Sequence, residues 1–154
     1  MIKERYIKEW SADHPWKHSE QVEQDLMLSR ALAAIYSDPF LVERLAFRGG
    51  TALHKLFFNP QVRSCEIVTF SLEELLGTKL RALYQRKKGR DLFDLFYALT
   101  HADVDVEKMM RCYRRYIEFA AGEIPSARVF CENIEGKLQM PEFLSDAENY
   151  LGPS

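Results

Sequence analysis

Three features of this chain could serve a phosphate-handling site: the turn Gly49-Gly50-Thr51 and a lysine at 79, which could hold an anion, and an aspartate at 91. The turn interrupts Leu45-Ala46-Phe47-Arg48-Gly49-Gly50-Thr51-Ala52-Leu53-His54-Lys55. A short apolar run stops at the two glycines and restarts with helical spacing at Ala52, Leu53, Leu56 and Phe57, the layout of a strand feeding a helix. The first amides of such a helix point outward, and the helix dipole adds partial positive charge, so a phosphate is stabilised there. Glycine lets the backbone approach the anion closely, and Thr51 adds a hydroxyl donor. The same double glycine more often serves only to turn the chain.

Lys79 stands three residues beyond Leu76 and four beyond Leu75, in a stripe made by Leu72, Leu75, Leu76, Leu80 and Leu83. It therefore lies on or beside a buried helix face, where a lysine either snorkels its ammonium to water or serves a site. Asp91 follows Gly89, which reads as the end of that helix, and by position Asp91 is a cap or first-turn acid of the next one.

These segments resemble the AbiEii/AbiGii-type nucleotidyltransferases, toxins of bacterial toxin–antitoxin and phage-defence systems. The resemblance is carried by Gly49-Gly50-Thr51-Ala52-Leu53-His54-Lys55-Leu56, by Ser71-Leu72-Glu73-Glu74-Leu75-Leu76-Gly77-Thr78-Lys79-Leu80-Arg81-Ala82-Leu83, and by Lys87-Lys88-Gly89-Arg90-Asp91-Leu92-Phe93-Asp94-Leu95, in that order. It runs from near the N-terminus to about Tyr150. It implies that Gly49, Gly50, Thr51 and Lys55 hold nucleotide phosphates, that Lys79 contacts them, and that Asp91 is tied to catalysis. It also implies Mg²⁺ and a nucleoside triphosphate as cofactor and substrate if the protein is active, with tRNA and an antitoxin protein as partners.

The chain departs from the family at one place. There the glycine turn and its helix lead to a strand carrying Asp-x-Asp, whereas this chain passes from Gln61-Val62-Arg63-Ser64 to Cys65-Glu66-Ile67-Val68-Thr69-Phe70. Nucleotidyl transfer needs carboxylates to hold Mg²⁺ against the triphosphate, so the expected activity is weak or lost. The alternatives are a catalytically dead module that binds nucleotide, RNA or protein, and a truncated remnant. Asp103-Val104-Asp105 is the one Asp-x-Asp present; it reads as a helix start, Asp103 as the cap, with no metal site expected.

Between Lys79 and Arg90 lie Arg81, Arg86, Lys87 and Lys88 with no acid among them. Such runs are usually solvated faces, yet beside a nucleotide pocket Arg81, Arg86, Lys87, Lys88 and Arg90 would suit the phosphates of an RNA end. Tyr84, Phe93, Phe96 and Tyr97 fall mainly at core spacing, and His54 reads as a helix-surface residue.

The elements around these residues are mostly helical. The chain has 154 residues, 47% hydrophobic and 29% charged, enough for one domain with its own core; we divide it into a 1–64 part holding the glycine turn and a 65–154 helical part. The expected fold is α+β and predominantly helical, a remnant of a nucleotidyltransferase fold with one or two short strands, at 45–48 and 65–70, and a C-terminal helical bundle. Helices are expected from Ser19 to Ile35, from the glycine turn to Phe58 with Asn59-Pro60 as its stop, and from the capping box Ser71-x-x-Glu74. Further helices follow over 106–121, from Ser126, and from Pro141 to Tyr150 and Leu151.

A net charge of −2 gives no global attraction to nucleic acid or to an anionic membrane. Apolar runs are short and broken by charges, so no membrane span is expected. Three widely spaced cysteines, Cys65, Cys112 and Cys131, form no metal pattern and fit the reducing cytoplasm. Loss of the acidic strands would leave exposed edges, for which a homodimer is the expected cover.

Overall fold

The computed structural model describes residues 2–13, 16, 18–58 and 65–148, and it is predominantly helical. The chain forms two compact units, Met1–Phe47 with Gln61–Val68, and Arg48–Pro60 with Thr69–Ser154. The glycine turn is thus grouped with the later helices.

In the first unit, α1 (Glu4–Asp13) packs on α2 (Ser19–Tyr36), and a four-residue α3 (Pro39–Val42) follows. The indole of Trp10 donates to Asp25 Oδ2 at 2.9 Å, fixing α1 on α2. Asp38 caps α3, its Oδ1 accepting from the Phe40 and Leu41 amides at 2.8 and 3.0 Å, with Pro39 in the first helical position where its missing N–H costs nothing. Strand character at 45–48 contracts to an isolated bridge position at Phe47, and that at 65–70 to one at Thr69, which belongs to the second unit. Phe47 N–H donates to Val68 O at 2.8 Å, and the buried Tyr36 hydroxyl reaches the same carbonyl at 3.1 Å. A two-stranded pairing is marginal without further strands, and a tyrosine from α2 supplies the support here.

In the second unit, α4 (Gly50–Ala52) continues as a π-helix over Leu53–Phe58. The expected stop at Asn59-Pro60 lies outside the described residues, as do Tyr150 and Leu151. The remaining helices are α5 (Leu72–Gln85), α6 (Gly89–His101), α7 (Val106–Ala121), α8 (Ala127–Leu138) and α9 (Pro141–Glu148). Helix α5 is central: the π-helix, α6, α7 and α8 all pack on it. The core holds Leu53, Leu75, Leu76, Leu83, Leu95, Ala98, Met109, Tyr113, Ile117 and Phe143.

Two glycines set the helix approaches. A Cβ on Gly77 would stand 2.8 Å from Cys112 Cβ and from Tyr113 N, so only glycine lets α7 cross α5 this closely. A Cβ on Gly89 would stand 1.9 Å from Phe143 O. Gly89 therefore does not end α5, as its position had suggested; it is the first residue of α6, kept bare by the backbone of α9.

Caps explain most helix limits. Ser71 Oγ accepts from Glu74 N at 3.4 Å, but the reciprocal arm of the expected box serves elsewhere: Glu74 Oε1 accepts from Tyr116 OH at 2.6 Å. Asp105, not Asp103, caps α7, its Oδ1 accepting from Lys108 N at 2.9 Å. Gly122, at φ 77°, closes α7 in the left-handed conformation that glycine adopts without strain. Ser126 caps α8. The ammonium of Lys137, 5% exposed, donates to the carbonyls of Leu83 and of Tyr84 at the C-terminus of α5, where the dipole favours a cation. Burial pushes the Lys137 pKa down. No helix among the described residues is long and apolar enough to cross a membrane.

Candidate functional site

Lys79 projects from the middle of α5 toward α6, whose first turn carries Asp91 and whose next turn carries Asp94 on the same face. Lys79 Nζ donates to Asp91 Oδ1 at 2.8 Å and pairs with Asp94 Oδ2 at 2.6 Å. Arg86, at the C-terminal cap of α5, closes the cluster from the other end. Its Nε donates to Asp91 Oδ2 at 2.6 Å and its Nη2 to Asp91 Oδ1 at 2.7 Å. The loop between α5 and α6 is only Arg86-Lys87-Lys88, which places that guanidinium within one turn of Asp91.

The cluster is internally balanced, two cations against two carboxylates, and it is buried except at Arg86, whose side chain is 49% exposed. Asp91 is 0% exposed, Asp94 3% and Lys79 6%. Burial alone would raise the Asp91 pKa, but hydrogen bonds from Arg86 and Lys79 and their positive charges outweigh it and hold the carboxyl below its ordinary value. The Asp91 hydrogen bond in turn raises the Arg86 pKa against its partial burial.

The glycine turn lies directly against this cluster. Gly49 adopts φ 94°, a conformation that favours glycine, and the Ala52 and Leu53 amides both return to its carbonyl. Gly49 supplies no side-chain cap to the amides that follow it. A Cβ on Gly50 would stand 2.9 Å from Lys79 Nζ and 3.2 Å from Asp94 Oδ2, so the bare glycine lets both charged groups pack against the turn. The π-helix that follows brings His54 Nε2 to 3.6 Å from Asp94 Oδ1 and sets its ring edge-on to Phe58. Runs of π-helix recur at functional sites.

The geometry thus brings together Gly50, Lys79 and Asp91, named from the sequence for phosphate binding or catalysis, with Arg86, named there for RNA, and adds Asp94 and His54. Asp94 was legible in principle: it follows Asp91 by three residues, the spacing that shares a helix face. His54, read as a helix-surface residue, keeps 27% of its side chain exposed and turns Nε2 toward Asp94. Thr51 is exposed beside the turn. Lys55 is 2% exposed and engaged within the fold, so its ammonium is turned away from solvent.

The proposed RNA-facing residues separate. Arg86 is bound into the cluster. Arg81 Nη1 donates to Gln85 Oε1 at 2.7 Å, and Arg90 contributes its amide to Asp146 Oδ2 at 3.1 Å. Lys87 and Lys88 are exposed, Lys88 4.0 Å from Asp146. Phe96, placed by spacing in the core, is 61% exposed.

Mg²⁺ does not fit this cluster. Both oxygens of Asp91 already accept from cations and Asp94 Oδ2 faces Lys79, so a metal ion would have to displace an ammonium or a guanidinium. No group of three or more metal-ligating side chains occurs among the described residues.

A family model described as nucleotidyl transferase AbiEii toxin, type IV TA system, matches residues 59–151. The matched span contains Lys79, Arg86, Asp91 and Asp94 and begins after the glycine turn. No curated protein and no solved structure matches the chain.

Proposed function

The chain belongs to the AbiEii family of nucleotidyl transferase toxins, and from that premise we propose that it binds the triphosphate of a nucleotide at the glycine turn beside Lys79 and transfers it weakly or not at all. The observation that carries the reading is the direct packing of the Lys79 ammonium against the glycine turn, so close that a Cβ on Gly50 would stand 2.9 Å from Lys79 Nζ. Gly49 and Gly50 allow close approach of the phosphates, Thr51 offers a hydroxyl at the rim, and Lys79 supplies the positive charge. Asp91 positions Lys79 and is too enclosed and too strongly held by Arg86 to act as a free base.

The donor set is the reason for weak transfer. Mg²⁺ bridging of the triphosphate is the chemistry the family's acidic strands would supply, and the carboxylates near this turn are neutralised by cations. An antitoxin protein is the partner that a type IV toxin implies, and the exposed Lys87 and Lys88 are suited to the phosphates of a tRNA end.

The test is a transfer assay with α-labelled nucleoside triphosphates, Mg²⁺ and tRNA. We expect no label on the RNA above the protein-free background. Steady incorporation that disappears with Lys79→Gln would show that transfer survives and would overturn the inactive half of the proposal.

A further inference from the structure

We propose that Arg48 is a phosphate-binding residue of the glycine turn, its guanidinium held by two aromatic rings so that its N–H groups meet a phosphate of the nucleotide from solvent. The inference rests on the triphosphate reading above and adds to it a second cation, one with no carboxylate set against it.

Arg48 directly precedes Gly49 and is exposed, as is Thr51 after the two glycines. Its guanidinium lies over the ring of Phe70, 5.0 Å from the centroid, and over that of Tyr116 at 5.7 Å. Each ring is anchored at the start of α5. Phe70 immediately precedes Ser71, the cap of that helix, and the Tyr116 hydroxyl donates to Glu74 Oε1 at 2.6 Å. Stacking uses the faces of a guanidinium and leaves its edge, where the N–H groups lie, open to an acceptor. Among the described residues no carboxylate forms an ion pair with Arg48, whereas Lys79, Arg86 and Lys108 each have one. The acids in the first turn of α5 are already engaged, Glu73 by Lys108 and Glu74 by Tyr116. Lys79 is 6% exposed and is balanced by Asp91 and Asp94, so its pull on an approaching anion is weak. The turn therefore has one enclosed and neutralised cation, Lys79, and one exposed and unbalanced cation, Arg48. A guanidinium already held against two rings loses less freedom on meeting a phosphate, and its fork matches two phosphate oxygens.

The experiment measures binding of inorganic tripolyphosphate by titration calorimetry to the wild type, Arg48→Gln, Arg48→Lys and Arg128→Gln, each checked for helical content by circular dichroism. Arg128 lies on α8 with its side chain 87% exposed, so Arg128→Gln makes the same change of net charge on another helix. Arg48→Gln should bind about tenfold more weakly than the wild type, the low end of what a hydrogen-bonded charge pair contributes. Arg128→Gln should match the wild type, because salt at physiological strength screens exposed charges that do not touch the ligand. Arg48→Lys keeps the charge, loses the fork and should fall between the two. Wild-type binding that Arg48→Gln leaves unchanged, or that Arg128→Gln lowers as much, overturns the inference and leaves the triphosphate reading standing. Absence of binding by the folded wild type overturns the two together. If Arg48→Gln does not fold, Arg48→Lys carries the comparison, and an affinity equal to that of the wild type overturns the inference.

Discussion

Asp94 Oδ2 stands 2.6 Å from Lys79 Nζ, one helical turn beyond Asp91, so a single ammonium ties two successive turns of α6 to the middle of α5. Such a tie fixes the angle between the helices; Asp91 has Arg86 as a second cation, whereas Asp94 has Lys79 as its ammonium partner. Lys79→Gln keeps the length of the side chain but removes that charge. It should lower unfolding stability by about 3 kcal/mol, the scale for breaking a buried ion pair on one side, as read by urea denaturation. A loss below about 1 kcal/mol would mean that the cluster is solvated enough to screen its own charges.

Acid should act through Asp91. The unfolded carboxyl titrates near 4, whereas the folded one is held lower. Between those values the unfolded chain binds a proton that the folded protein does not, so stability falls with falling pH. This contribution is fully present above about pH 4 and is lost as pH drops through the folded value. Thermal melts of Asp91→Asn should show a shallower acid decline than the wild type, from a lower starting stability. Parallel declines would place the acid sensitivity elsewhere.

Three glycines in or beside α5, α6 and α8 should respond differently to alanine. Gly77→Ala puts a methyl 2.8 Å from the α7 backbone and should cost about 1–3 kcal/mol. Gly89→Ala meets a carbonyl at 1.9 Å that cannot rotate away, so it should be the most damaging of the three. Gly136 has nothing within 4 Å, and Gly136→Ala should stabilise α8 by about 0.5–1 kcal/mol through helix propensity. Denaturant midpoints give the order directly, and a tolerated Gly89→Ala would contradict the α6–α9 packing.

The caps offer a contrast between two aspartates. Asp105→Ala should cost about 1 kcal/mol, because Asp105 holds the Lys108 amide, whereas Asp103→Ala should be near neutral. Equal effects would show that the two residues share the cap.

The same pair illustrates what the sequence carried and what it did not. Asp103 and Asp105 are equivalent in composition, and only the backbone entering α7 decides which carboxylate meets the free amide. Helix positions followed well from spacing and punctuation: Ser126, Gly122 and Asp38-Pro39 act locally, so local rules suffice. The partners of the site were less accessible. Lys79 and Asp91 were marked by their family motif, but Arg86 looked like one more member of a basic run, since nothing local shows that a three-residue loop folds it onto Asp91. Gly89 was misassigned because the atom that excludes its side chain, Phe143 O, belongs to a helix more than fifty residues later. Glu74 satisfied the pattern of a capping box, yet Tyr116 claims its carboxylate through tertiary packing. The weak strand at 65–70 had suitable residues and too few partners.

The most direct test of the account is titration calorimetry of the four ribonucleoside triphosphates with Mg²⁺ present, against the wild type and Lys79→Gln. The account predicts saturable binding of at least one triphosphate to the wild type and its loss in Lys79→Gln, with both proteins folded. Binding that survives Lys79→Gln, or a well-folded wild type that binds none of the four, would contradict it.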